Sequence, residues 1–341
     1  MESGKELFDV TIIGGGPVGL YGLFYARLRG MKAKIVDALP ELGGQLVTLY
    51  PEKNIFDVGG IPRIIGRDLA KQLVEQALSL NPTVCLGEKV ISFVRHEEAG
   101  QSDFELITEN GTSHLTKSIL LTAGIGAFNP KKLEGRGIEN FEGKGVHYFV
   151  LEKKEFKGKD VLIIGGGDSA VDWVLNLLDT AANITLIHRR DGFGAHEESV
   201  REMMGSRADI RTSYELKMIR GDSRVEEAVI YNNKTLEETT LSVSEIILNL
   251  GFHADLGPIK RWGLEIDKGG IVVNARMETN ITGIYAAGDV ASHPGKLKLI
   301  ATGFGEAATA INFAKKFVDP ASKVYPRHSS DMKSLPTSTA D

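Results

Sequence analysis

Two glycine-rich turns carry the chemistry that this chain can do. Gly14-Gly15-Gly16-Pro17-Val18-Gly19 follows the apolar run Val10-Thr11-Ile12-Ile13, and Gly165-Gly166-Gly167-Asp168-Ser169-Ala170 follows Val161-Leu162-Ile163-Ile164. Both fit G-x-G-x-x-G/A at a strand-to-helix turn, where backbone N–H groups and a helix N-terminus meet a pyrophosphate. At the same distance after Gly14 and after Gly165 stand Asp37 and His188, each closing a second apolar run, and Arg189-Arg190 follow His188. An acid at that position accepts hydrogen bonds from a ribose 2′-OH and repels a 2′-phosphate, which arginines attract. Gly14, Gly16, Pro17, Gly19 and Asp37 are therefore expected to hold an adenosine with a free ribose. Gly165, Gly167, Asp168, Ser169, His188, Arg189 and Arg190 are expected to hold a 2′-phosphorylated one. The pair reads as sites for FAD and NADP(H) in one polypeptide, and so as electron-transfer chemistry.

The elements that must position these turns form a repeated plan. Strand 7–13, a helix over 17–29 and strand 33–36 open the chain as a βαβ unit. A helical stretch over 68–80 follows, then alternating segments near 90–95, 104–108 and 113–117 that suit a small antiparallel layer, then a buried strand ending at Gly124. The stretch 128–145, rich in charge and glycine, is expected to be a loop and reads as the crossing into a second domain. That domain repeats the plan with a strand over 160–164, a helix over 169–178, hairpin-like segments near 213–220 and 225–231, and a strand over 245–250. Beyond Gly251, the run Gly283-Ile284-Tyr285-Ala286-Ala287-Gly288-Asp289 is one more buried strand, and an apolar helix is expected from about Gly303 to Val318. In a doubly wound sheet ligands lie outside the carboxyl ends of strands, which places Asp289 beside a cofactor. The expected fold class is α/β, two Rossmann-like three-layer nucleotide-binding domains. Residues 1–124 and 253–341 form the FAD domain with a C-terminal extension, and 125–252 form the inserted NADP(H) domain.

The bulk properties agree with a globular protein of two domains: 341 residues, 42% hydrophobic and 25% charged. Thirty-nine glycines against eleven prolines suit repeated tight nucleotide loops rather than disorder. A net charge of −5 argues against bulk nucleic-acid binding. No apolar run has the length of a membrane span, and the charged start before a strand at about Phe8 does not read as a signal peptide; a cytoplasmic protein is expected. The single cysteine, Cys85, excludes an intrachain disulfide and any cysteine metal cluster, and the eight histidines show no metal-ligand spacing.

The chain resembles the thioredoxin-reductase-like flavoproteins over essentially its whole length, and most closely the ferredoxin–NADP+ reductases built on that fold. Besides the two fingerprints, Gly43-Gly44-Gln45-Leu46, His188-Arg189-Arg190-Asp191 and the run from Gly283 to Val290 carry the resemblance. It implies that Gln45, Leu46 and Asp289 lie against the flavin, with Val90 and Phe128 around the cofactor. It implies further that Tyr50 stacks on one flavin face, that His328 of the C-terminal extension stacks on the other, and that Ser330 sits near the ring's polar edge. If His328 covers the nicotinamide face, the tail gates turnover. The helix after Asp289 is expected to aim its positive end at the flavin pyrimidine. The similar reductases are homodimers, and a homodimer is expected here.

One departure bears on the activity. Where similar thioredoxin reductases carry CxxC, this chain reads Gly145-Val146-His147-Tyr148-Phe149-Val150-Leu151-Glu152, with Phe149 and Glu152 in place of the sulfurs. Without a dithiol the flavin cannot reduce a disulfide by thiol exchange. Electrons are expected to leave directly to a one-electron carrier, ferredoxin or flavodoxin. Hydride exchange between nicotinamide and flavin N5 needs no acid or base, so none is assigned. An acidic carrier calls for a basic surface, for which Lys131-Lys132, Lys153-Lys154 with Lys157 and Lys159, and Lys296 with Lys298 are candidates. Two other readings stay open: an NADPH-dependent reductase of free flavins, quinones or a small disulfide, and a non-catalytic NADPH-responsive flavoprotein.

Overall fold

The computed structural model describes residues 6–98, 101–124, 126, 129–133, 135–150, 152–253 and 255–325. The chain divides into two compact units. The first is Met1–Thr48, Asn54–Ala127 and Ala254–Asp341; the second is Leu49–Lys53 and Phe128–His253.

The first unit is built on a parallel five-stranded sheet. Its order is Ile284–Ala286, Ile119–Leu121, Val10–Ile13, Ala33–Val36, Thr83–Cys85, with the fingerprint strand in the centre. All four residues of Val10–Ile13 and of Ala33–Val36 are buried, as strands covered on both faces require. Helices Pro17–Leu28, Gly66–Leu78 and Ile300–Val318 accompany this sheet. The expected antiparallel layer is present as Val90–Glu98, Gln101–Thr108 and Ser113–Thr116, and Leu7–Phe8 adds to it in parallel.

The second unit repeats the plan. Its parallel sheet runs Val146–His147, Glu245–Asn249, Asp160–Gly165, Asn183–His188, Asp209–Thr212, again with the fingerprint strand third. The hairpin-like segments become a three-stranded antiparallel sheet, Tyr214–Arg220, Glu227–Asn232 and Glu238–Ser242. Trp173, Val174 and Leu177 of helix Asp168–Leu177 pack with Val161, Ile163 and Leu186 on one side of the sheet. Leu162, Ile164 and Ile187 meet Leu216, Ala228 and Ile230 of the antiparallel sheet on the other. That alternation along one strand is the period-two pattern of a sheet buried on both faces.

Three sequence expectations shift. The last helix begins at Ile300 rather than Gly303, because no proline or capping side chain blocks the extra turn. The stretch 128–145 is not all loop, since Ile138–Phe141 is helical and buries Ile138 and Phe141. Lys296 is not a surface cation: its side chain is 10% exposed and pairs with the buried Glu306.

Candidate nucleotide and flavin sites

The first fingerprint loop is shaped by what a side chain would strike. At Gly14, φ is +112° and a Cβ would lie 2.5 Å from the Thr122 carbonyl oxygen. At Gly19 it would lie 1.9 Å from the Gly14 carbonyl oxygen, so strand and helix approach closely there. At Gly16, by contrast, a Cβ meets no atom within 4 Å. The loop thus leaves open space at Gly16, as the close approach of a pyrophosphate would require. Helix Pro17–Leu28 starts there with Pro17 at N1 and no acid in its first turn, leaving its N-terminal N–H groups and dipole for an anion.

Asp37 closes the strand Ala33–Val36 and is 8% exposed. Its Oδ2 accepts the Gly15 N–H and its Oδ1 accepts the Leu39 N–H at 2.8 Å. Burial pushes its carboxyl up, and the backbone donors of Leu39, Gly15 and Ala38 pull it back. The Gly43-Gly44-Gln45 turn lies across this loop. Gly43 N–H donates to the Gly15 carbonyl at 2.8 Å, and a Cβ on Gly44 would come 2.8 Å from the Gly16 Cα. Leu46 is fully buried and Val90 nearly so, while the Gln45 amide nitrogen would lie 3.0 Å from a Cβ on Gly124.

Val18 joins a third element to the site. A Cβ on Gly288 would come 3.0 Å from Val18 Cγ2, and one on Gly303 would come 2.4 Å from it. The start of helix Pro17–Leu28, the Gly288-Asp289 turn and the start of helix Ile300–Val318 therefore converge, and the last helix also begins without an acid in its first turn. Asp289 is half-buried at this junction. Behind it, buried Glu306 accepts the Gly288 N–H at 2.8 Å, His293 Nε2 at 3.0 Å and Lys296 Nζ at 2.6 Å. No local pattern in the sequence marks this carboxylate cluster.

In the second unit a Cβ on Gly167 meets nothing within 4 Å, so this loop too is open. Asp168 Oδ1 accepts the His196 N–H at 3.0 Å, which fixes the carboxylate of the first helical turn on the following loop. Ser169 follows it in the same turn. The His188 ring lies on Gly166, where a Cβ would come within 2.1 Å of it, and stacks on Phe193 with centroids 5.4 Å apart. Burial pushes the imidazole pKa down, as do Arg189 and Arg190 beside it, against a backbone hydrogen bond at Gly192. Both arginines are exposed at the strand's end. Asn249 Oδ1 is buried without a hydrogen-bond partner among the described residues, on the strand paired in register with Gly165. An orphaned acceptor at the carboxyl end of the sheet is where a ligand donor fits.

Tyr50 lies in the Leu49–Lys53 segment that clusters with the second unit, where Lys53 pairs with Asp172 at 2.9 Å. Phe128, His328 and Ser330 lie outside the described residues. Phe149 and Glu152 occupy the stretch after Val146–His147 and supply no thiol. Cys85 belongs to the first unit, and burial pushes its thiol pKa up. It lies near Glu88 and His114, a group whose donor atoms fall within 4.8 Å of one another. Lys34 Nζ donates to His114 Nδ1 at 3.2 Å, and His114 Nε2 donates to Glu88 at 2.9 Å, so both ring nitrogens are engaged within the protein.

A model of the family described as pyridine nucleotide-disulphide oxidoreductase matches residues 8–312. The chain belongs to this family. A protein of Symbiobacterium thermophilum called ferredoxin–NADP reductase is 52% identical over 337 residues, 98% of this chain and 99% of its own. One of the same name from Halalkalibacterium halodurans is 50% identical over 333 residues, 97% and 100% of the two chains. Among solved structures, the thioredoxin reductase of Lactococcus lactis in its FR conformation matches with a TM-score of 0.78 at 30% identity, covering 91% of this chain and 99% of that one. The thioredoxin reductase of T. acidophilum matches at 0.79 and 26% identity, covering 93% and 99%. The two-domain, doubly wound fold of this pyridine nucleotide-disulphide oxidoreductase is the one the paired fingerprints implied. No helix among the described residues is long and apolar enough to cross a membrane.

Proposed function

We propose that the chain is an FAD-dependent ferredoxin–NADP+ reductase, with FAD in the first unit and NADP(H) in the second. One contrast carries the reading: Asp37 follows the first fingerprint and Arg189-Arg190 the second, while Phe149 and Glu152 stand where a dithiol would be. Relatives at about half identity over nearly the whole chain bear that enzyme's name, which supports it.

The residues divide the work of binding. Asp37 has lone pairs left for a ribose hydroxyl while backbone donors, the Gly15 and Leu39 N–H groups among them, hold it in place. Gly14, Gly16, Pro17 and Gly19 bring the loop and helix N-terminus to the pyrophosphate. By the family resemblance, Gln45, Leu46, Val90 and Asp289 would hold the ring system, and Tyr50, Phe128, His328 and Ser330 would add to its binding. The bound flavin supplies the exchange of electron pairs with a nicotinamide and of single electrons with a protein carrier. The N-terminus of helix Ile300–Val318 stabilises negative charge beside it. In the second unit Gly165, Gly167, Asp168 and Ser169 form the pyrophosphate turn, His188 flanks the adenosine, and Arg189 and Arg190 hold the 2′-phosphate. No side chain has to move a proton.

The same reading makes the protein a cytoplasmic homodimer that accepts ferredoxin or flavodoxin. Of the candidate docking lysines, Lys132 pairs with Glu142 and Lys153 with Asp179, and Lys159 is taken by buried Glu245. The test is steady-state turnover: purified protein should carry FAD and reduce ferredoxin with NADPH far faster than with NADH. Turnover of a disulfide substrate in preference to ferredoxin would overturn the proposal.

A further inference from the structure

The turn between Glu227–Asn232 and Glu238–Ser242 is tied, contact by contact, to the segment that carries the two arginines. Asn233 Nδ2 donates to the Arg189 carbonyl at 2.9 Å, and Asn233 N–H donates to the Ser213 carbonyl at 2.8 Å. Ser213, held at φ +61°, donates its hydroxyl to Asp191 Oδ1 at 2.6 Å. Lys234 Nζ then reaches both oxygens of Asp191, at 2.6 and 2.8 Å. The turn is also locked within itself: Asn232 Oδ1 accepts the N–H groups of Lys234 at 2.9 Å and Thr235 at 3.1 Å.

An exposed Lys–Asp pair contributes little to stability, and here the side chains are 61% and 72% exposed. What the arrangement does is seat an ammonium group on Asp191, the residue that directly follows Arg189 and Arg190 in the chain. It also neutralises Asp191, whose carboxylate would otherwise oppose a phosphate arriving at the strand end. We infer that Lys234 is a third cation of the 2′-phosphate site, so that selectivity for NADP(H) over NAD(H) is set by two elements distant in sequence. Asp191 holds the ammonium in place until the phosphate arrives, and Asn233 fixes the turn's height against Arg189. The inference rests on the reading of the second unit as the NADP(H) site.

The test is calorimetric titration of the full-length, FAD-loaded protein with 2′,5′-ADP and with 5′-AMP, which differ only in the 2′-phosphate. A charge-assisted contact of ordinary strength predicts that Lys234→Ala weakens 2′,5′-ADP about tenfold and leaves 5′-AMP unchanged. Lys234→Arg should retain most of the affinity, and the salt dependence of 2′,5′-ADP binding should flatten in Lys234→Ala. If Lys234→Ala binds 2′,5′-ADP like the unaltered protein, or loses both ligands equally, the inference fails while the site reading stands. If the unaltered protein does not prefer 2′,5′-ADP to 5′-AMP, the site reading fails and the inference with it.

Discussion

The Glu306 carboxylate accepts the Gly288 backbone N–H at 2.8 Å, one residue before Asp289, and is itself held by Lys296 and His293. The last helix thereby fixes the turn that presents Asp289. Glu306 and Lys296 are 6% and 10% exposed, so each neutralises a charge that would otherwise be buried alone.

Glu306→Ala is expected to destabilise the protein by about 3 kcal/mol, because it strands the Lys296 ammonium. Adding Lys296→Met should recover most of that loss, since no unpaired charge then remains. Urea denaturation of the two variants reads both effects. A double variant no more stable than Glu306→Ala would show that the ion pair is not the source.

Asp37→Ala should leave the Gly15 and Leu39 N–H groups without their acceptor and the ribose without its partner. Hydrogen bonds to a charged group are worth about 1.5–3 kcal/mol each, so the variant should purify with little flavin. The ratio of visible to ultraviolet absorbance measures this; full flavin content would remove Asp37 from the site.

Arg189 and Arg190 should matter to one nicotinamide cofactor only. Replacing both with alanine is expected to raise KM for NADPH by about a hundredfold or more, the loss of two charge-assisted contacts, with KM for NADH little changed. Parallel kinetics with the two cofactors decide this, and an equal rise for both would place the arginines elsewhere than at the 2′-phosphate.

Both fingerprints were readable in the sequence because strand, glycine turn and helix start are contiguous, and each glycine's role is steric at close range. Asp37 and Arg189-Arg190 were readable because a single βαβ unit fixes their distance from the glycines. Glu306 was not: it accepts from Gly288, His293 and Lys296, a cluster set by helix packing, and Lys296 therefore looked like a surface cation. The Lys234 turn was hidden for the same reason, since a meander strand folds it back onto Asp191 from 43 positions away. The Leu49–Lys53 segment clusters with the second unit although it lies within the first unit's sequence, an assignment that depends on packing and not on periodicity.

Glu245 gives the second unit a pH signature. It is 2% exposed and accepts His147 at 2.5 Å, Lys159 at 2.5 Å and Arg224 at 3.0 Å. Burial pushes its carboxyl up, but His147 and Lys159 outweigh that and hold it at about 2, against 4.5 when unperturbed. A depressed carboxyl pKa stabilises the fold fully above the unfolded value and loses that contribution as pH falls toward the folded one. The gap in unfolding midpoint between the unaltered protein and Glu245→Gln should therefore be constant above about pH 4.5 and close on going down to about pH 2. A gap independent of pH in that window would show that the carboxyl is not depressed.

The central claim, a flavin that takes electrons from NADPH and gives them to a one-electron carrier, is tested most directly by anaerobic stopped-flow. The FAD-loaded protein is mixed with NADPH and then with oxidised ferredoxin while the flavin absorbance is followed. Rapid bleaching by NADPH, then rapid recovery with stoichiometric ferredoxin reduction, is the predicted result. Bleaching that ferredoxin and flavodoxin leave unreversed, and that only a free flavin or quinone reverses, would contradict it.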